Sequence, residues 1–277
     1  MSHASQVTIP AGAVQSGHGA LLRKTRLKFL IRRWVGELYA GKRMKMRHLT
    51  RLVRSLPLPS PPRLLEVGCE DGTFCDWLTR LWPQARVEGL DRNASQIAAC
   101  ARWAKDSGRA ANLRFVHGDV LEFDAREIYD LVICFDVLGY ISDDRAAVRN
   151  MSNALKPGGW LVIHQPNTTY QRFDGTLHHV SPEHAHLITE GHVRHGYSRG
   201  ELAALLASAP DVKVEGIISL HGRLTDLAYQ IYRWLEHPAP LRLLALPFID
   251  LLCEFDRHFP NRHGNTLCAI ARKCAQR

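Results

Sequence analysis

The sequence contains no Cys-x-x-Cys pair, no internal repeat and no uninterrupted apolar run of about 18 residues. No transmembrane helix is therefore expected. The N-terminus lacks the basic, apolar, small-residue order of a secretory signal, so none is expected there either. The seven cysteines (Cys69, Cys75, Cys100, Cys134, Cys253, Cys268 and Cys274) are odd in number and sit in apolar stretches. They read as reduced, buried thiols of a cytoplasmic protein, not as a disulfide framework. Residues 1–19 have no Lys, Arg, Asp or Glu and read as a polar, disordered tail. What remains is ordinary globular composition. With 45% apolar and 23% charged residues in 277, the chain suits one large domain with attachments.

Charge is unevenly placed. Residues 20–54 hold 12 Lys/Arg and one acid, Glu37, whereas residues 55–277 hold 24 Lys/Arg and 26 Asp/Glu. The whole net charge of +9 thus belongs to one N-terminal segment, and the question is what that segment touches. Within it Leu27, Leu30, Ile31, Trp34, Val35 and Leu38 fall on one face of a helix, with Lys and Arg around them, and Gly41 is expected to end that helix. Leu49, Leu52, Val53 and Leu56 mark a second helix. Together residues 20–56 read as basic amphipathic helices. They stop at a stiff linker running from Pro57 to Pro62.

Beyond the linker, strands and helices alternate. Strands are expected at 63–68, 86–91, 113–117, 130–135, 160–164, 212–220 and 266–271. Helices are expected at 73–81, 94–105, 143–155 and 199–207, with residues 156–159 as a turn. This alternation implies a mostly parallel α/β sheet with helices on both faces. Ligands in such sheets sit beyond the carboxyl ends of the strands. Residues 166–197 form a long His-rich connection. Residues 221–263 read as a helical insertion between the last two strands, with helices at 224–235 and 241–255.

The first strand runs through Glu66-Val-Gly68-Cys69-Glu70-Asp71-Gly72 into a helix, and its glycines let backbone approach a ligand. The spacing is not the dinucleotide G-x-G-x-x-G. It resembles motif I of the class I S-adenosylmethionine (SAM)-dependent methyltransferases. Further pieces fall where that family expects them: Asp91-Arg92 ending the second strand, Asp119-Val120 after the third, Phe135-Asp136-Val-Leu at the end of the fourth, and Leu-Lys-Pro-Gly-Gly before the fifth. The resemblance covers roughly residues 63–220. It implies a Rossmann-like seven-stranded sheet whose last strand is antiparallel, occupying residues 63–277. It implies SAM as cofactor. Glu66, Gly68, Cys69 and Gly72 would lie against it, Asp91 and Arg92 at the ribose, Asp119 and Val120 at the adenine, and Phe135 and Asp136 at the methionine end. Glu70 departs from the family, which commonly has glycine there.

For an oxygen acceptor a base is needed, and neutral histidine suits that task near pH 7. His164 follows the fifth strand. His192 opens a stretch, His192-Val-Arg194-His-Gly-Tyr197-Ser198, similar to one before the sixth strand in sugar and small-molecule members. His192 and His164 are the candidate catalytic residues. His184/His186 or His192/His195 have spacings that would let two rings share an ion. Few carboxylates and no cysteine accompany them, so no metal is expected. The [DN]-P-P-[YFW] motif of nucleic-acid amino methylation and the Asp-Asn pair of catechol enzymes are absent.

The expected acceptor is a small molecule, a hydroxyl of a glycan, isoprenoid or lipid-linked compound. The segment Leu21–Tyr39 is read either as lying on an anionic membrane surface or as a lid over the cofactor. The expected location is the cytoplasm, with a peripheral position on the inner face of the membrane open. Two alternatives stand beside this reading, an RNA-directed methyltransferase using the basic arm and an inactive SAM-binding protein.

Overall fold

A computed structural model describes residues 39–180, 191–235, 239–259 and 261–275. The expected tail at 1–19, all but the last residue of the helix expected at Leu21–Tyr39, and both His184 and His186 lie outside them. The first described helix, α1 (Ala40–Arg54), begins where the upstream helix was expected to stop. Gly41 sits in its first turn because the Tyr39 ring lies where a side chain would stand, 3.1 Å from an ideal Cβ. Arg51 and Arg54 in its last turn suit the negative end of the helix dipole.

The strands β1 (Arg63–Val67), β2 (Arg86–Asp91), β3 (Leu113–His117), β4 (Tyr129–Phe135), β5 (Leu155–Pro166), β8 (Val212–Leu220) and β9 (Thr266–Lys273) form one sheet. Its order is β3-β2-β1-β4-β5-β9-β8, and β9 runs antiparallel to both neighbours. The expected last antiparallel strand is therefore inserted between β5 and β8. β5 starts earlier than expected. Leu155 pairs with Tyr129, but Leu131 pairs with Trp160, so the Lys-Pro-Gly-Gly segment bulges out of a continuous strand. A small hairpin, β6 (Thr169–Gln171) with β7 (Leu177–His179), lies in the His-rich connection.

Alternation along the strands divides the core. Leu65, Val132, Cys134 and Ile163 face one layer, against α4 (Asp144–Ala154) and α5 (Arg199–Ala207). Leu64, Ile133, Phe135 and Val162 face the other, against α1, α2 (Thr73–Leu81) and α3 (Ala94–Asp106). A period of two serving two faces is what a parallel sheet covered on both sides requires. Five of the cysteines are buried in these layers as free thiols and Cys253 is buried in the helical insertion; Cys274 is exposed, contrary to the reading of all seven as buried, because it follows the end of β9.

A third cluster lies apart from the sheet. Ala40 and Met44 of α1 pack with Ala228 and Tyr232 of α6 (Arg223–Trp234) and with Leu246, Ile249 and Cys253 of α7 (Ala239–Asp256). The insertion is thus a helical hairpin clamped on α1. Pro247 lies inside α7, which continues through it.

Candidate active site

The carboxyl ends of β1, β2, β4 and β5 meet under α1. Gly68 and Gly72 both adopt left-handed backbone, φ 73° and 70°. A Cβ on Gly68 would lie 2.2 Å from Val137, and one on Gly72 2.8 Å from Phe115, so neither position accepts a side chain. Glu70 is also left-handed, at φ 46°. That explains why glycine suits this position and what the glutamate costs: about 1–3 kcal/mol of backbone strain. The Glu70 side chain does not enter the loop. It is largely exposed and pairs with Lys42 of α1 at 2.6 Å, and Lys42 also reaches Asp71 at 3.1 Å. The departure from glycine therefore leaves the inside of the loop clear of the added charge.

Asp91 ends β2 with its carboxylate accepting from the backbone N–H of Glu70 and of Asn93, each at 2.8 Å. Two amides fix its orientation while the side chain stays part-exposed, with acceptor sites left for two hydroxyls. Arg92 is exposed, and its carbonyl accepts from His117 at 3.1 Å. Asp119 holds its own turn through Leu121 N–H at 2.9 Å, and Val120 is buried beside it. Cys69 is buried, its sulfur packed on Gly89.

Glu66 is fully enclosed at the end of β1, and its Oε2 has no hydrogen-bond partner. Burial pushes its carboxyl up to about 8, against the weaker opposing pull of Cys75 and Lys42. It is thus a neutral acid at pH 7 with an unused polar atom next to the loop. An orphaned acid, a side-chain-free turn and an oriented carboxylate on the second strand fit a nucleoside carrying an amino-acid end.

Phe135 turns into the core, edge-on to Phe74 at 5.1 Å and to His164 at 6.0 Å. Asp136 takes a left-handed conformation, φ 59°, and donates its N–H to the His164 carbonyl at 2.9 Å. This turn aims its carboxylate back across β5. One oxygen accepts from His164 Nδ1 at 2.8 Å and the other pairs with Lys45 of α1. Burial works to raise the Asp136 pKa, but Lys45 and His164 outweigh it and hold it well below the usual carboxylate range. The His164 pKa lies below 6.5, because burial outweighs the attraction of Asp136. At pH 7 the pair is therefore an ionised carboxylate and a neutral imidazole. Since the carboxylate can only accept, Nδ1 carries the proton and Nε2 keeps its lone pair. Nε2 is buried and has no partner.

Two further histidines stand beside His164. The His221 ring is 5.7 Å away and the His48 ring 4.8 Å beyond it. Burial pushes His48 down to about 4 and His221 well below its ordinary value, so all three rings are neutral. His48 Nε2 contacts Thr225 Oγ1 at 3.0 Å, and Thr225 donates to Asp256 at 2.7 Å, tying α1 to both helices of the insertion.

His192 is placed elsewhere, against the Tyr140 ring at a centroid distance of 3.7 Å. Its neighbour Val193 donates its N–H to the Gly139 carbonyl at 2.7 Å. The rest of its stretch is structural. Arg194 lies over the Tyr197 ring at 3.8 Å and bonds Asp144 and Glu201; Tyr197 donates to Asp144 at 2.8 Å; Ser198 and Glu201 form a capping box for α5. Among the described residues no group of three metal-ligating side chains is assembled.

Sequence reasoning missed Lys42, Lys45, His48 and His221. The first three follow at i, i+3 and i+6, one face of α1, which was the available signal.

The strand order, the reversed β9 and a loop-and-carboxylate site at the carboxyl ends define a class I SAM-dependent methyltransferase fold. Comparison with known proteins agrees. Residues 39–209 match the methyltransferase-domain family, and the chain belongs to it. Its cofactor is accordingly SAM. A ubiquinone biosynthesis O-methyltransferase from a Bradyrhizobium strain is 33% identical over 127 residues, 46% of this chain and 49% of the relative. The chain thus spans about half the length of the curated relatives it matches. A SAM-dependent methyltransferase from Mesorhizobium loti superposes with a TM-score of 0.55 at 19% identity, over 82% of this chain and 98% of that one. A geranyl diphosphate C-methyltransferase from Streptomyces coelicolor A3(2), solved with S-adenosylhomocysteine, gives 0.57 at 19% identity over 84% and 80%. At these identities the structures show the fold alone.

Proposed function

We propose that the protein methylates a hydroxyl oxygen of a lipophilic small molecule, with His164 as the base. The observation that carries this is the neutral, buried His164, pinned through Nδ1 by an ionised Asp136 and presenting an unpartnered Nε2. SAM supplies a methyl group already activated on a sulfonium. Gly68, Gly72 and Asp91 would hold it, with Glu66 and Asp119 beside it. An acceptor hydroxyl set against Nε2 would give its proton to that nitrogen, freeing the oxygen to take the methyl group that the sulfonium would release. The imidazolium that results is stabilised by the Asp136 carboxylate, while the loop and α1 exclude water. The ring cannot turn, since Asp136 is itself fixed by Lys45 and by its backbone bond to β5.

An isoprenoid or lipid-linked hydroxyl compound is the acceptor class favoured by the apolar insertion packed on α1 and by the name of the O-methyltransferase relatives. Location at the inner face of the membrane follows from that reading. Four of the six Lys/Arg in α1 (Lys42, Arg43, Lys45 and Arg47) pair with acids of the protein itself.

Calorimetry with S-adenosylhomocysteine and a methyl-transfer assay on membrane extracts and polyprenyl phenols test the reading. His164→Asn is expected to lower turnover by about 10²–10⁴-fold with unchanged S-adenosylhomocysteine affinity, and Asp91→Ala to lose that affinity. Full turnover by His164→Asn, with loss in His192→Asn, would move the base to His192.

A further inference from the structure

The helix α7 is apolar on two opposite faces. Leu246, Ile249 and Cys253 point inward to α1 and α6. Leu244, Phe248, Leu251 and Phe255 follow the same helical spacing on the other side, and among the described residues nothing covers them. Leu244 is 77% exposed and the other three are half exposed. Trp234, closing α6 at the tip of the same hairpin, is 85% exposed, more than any other large apolar side chain described. A contiguous outward face of this kind marks an interaction surface.

Its surroundings bear on the partner. Every acid of α7 is compensated. Asp250 is bonded by Arg43 and Arg47, Glu254 by Arg257 at 2.9 Å, and Asp256 turns inward to Gly222 N–H and Thr225. Arg47 remains 45% exposed after pairing, and Arg233 and His258 are exposed near the two ends of the hairpin. The chain that precedes Tyr39, residues 20–38, carries six Lys/Arg against one acid, and it enters at the N-cap of α1, which is packed on α7. Among the described residues no helix is long and apolar enough to cross a membrane, so a surface that meets lipid here lies on it.

We infer that the outward face of α7, with Trp234, docks onto an anionic lipid bilayer. The apolar side chains enter the interface, where an indole is favoured, and the basic rim meets the headgroups. The inference stands on the surface alone and goes beyond the acceptor reading above, because it is read by binding and not by turnover.

Flotation of the full chain with vesicles of phosphatidylglycerol and phosphatidylethanolamine, and with phosphatidylcholine alone, tests it. Two variants accompany wild type: Phe248→Glu with Leu251→Glu, and the milder Phe248→Ser with Leu251→Ser. Retained S-adenosylhomocysteine binding shows that each is folded. The expected result is flotation with the anionic vesicles, reduced by at least about tenfold in either folded variant and weakened by salt. Flotation that is equal in wild type and both variants overturns the proposal. So does a wild type that stays in solution with both vesicle types. A wild-type dimer that the variants convert to monomer, without flotation, assigns the face to a second copy and overturns it as well.

Discussion

His164 gains its character from where Asp136 is forced to point. A left-handed residue at a strand end is strained, and the strain is held by the backbone bond to β5 and by Lys45. Lys45 acts on His164 through Asp136 and through space, and it lowers the histidine's pKa. Removing the ammonium therefore raises that pKa. Activity that needs neutral His164 is lost as pH falls through its pKa, below 6.5 in the wild type. Lys45→Met is expected to move the acid limb of the kcat/KM profile to higher pH, and a pH–rate series measures the shift. A purely structural Lys45 would lower activity at all pH values equally. The same residues show what the sequence hid. Asp136 and His164 were both named, one for the cofactor and one for the acceptor, but their union depends on one left-handed turn and on the β4–β5 register.

Among the elements, strands were legible because both faces of the sheet are covered, so that each reads as a short, nearly continuous apolar run, as β1 and β4 show. The loop of Gly68 and Gly72 was legible because close approach and left-handed backbone leave few residues suitable. What the charged positions of α1 touch is not legible in the sequence: Lys42 and Lys45 are held inward by Glu70, Asp71 and Asp136, acids that only the fold brings near. The β6–β7 hairpin went unseen because its three-residue strands are too short to show a period. α1 is anchored at its start by the cluster that Ala40 and Met44 share with α6 and α7, and further along by Leu49 and Val53 in the sheet layer. Ile249→Ala empties part of that cluster at about 2–5 kcal/mol. Amide hydrogen exchange should then quicken across residues 40–54 and in α7, while β1 and β4 keep their protection. Uniform loss of protection would mean that the cluster belongs to the main cooperative unit.

At the scale of the whole molecule, one body of sheet and helices carries a cofactor loop on one side of α1 and an apolar hairpin on the other. α1 is the part they share. Lys42 and Lys45 reach the loop and Asp136, while Arg43 and Arg47 reach Asp250 of α7. A helix gripped from both sides cannot shift for one without shifting for the other. If the hairpin docks as inferred above, occupancy of the loop and contact with lipid would be linked through α1, and such linkage is reciprocal: each would change the other's equilibrium by the same factor. Vesicle partitioning measured with and without saturating S-adenosylhomocysteine should differ, and the S-adenosylhomocysteine affinity measured with and without vesicles should differ by the matching ratio. Such an enzyme would meter its own residence at the surface, staying while loaded and leaving when empty or the reverse. The sign of that ratio would tell whether methyl donor is collected before the membrane is reached or upon it.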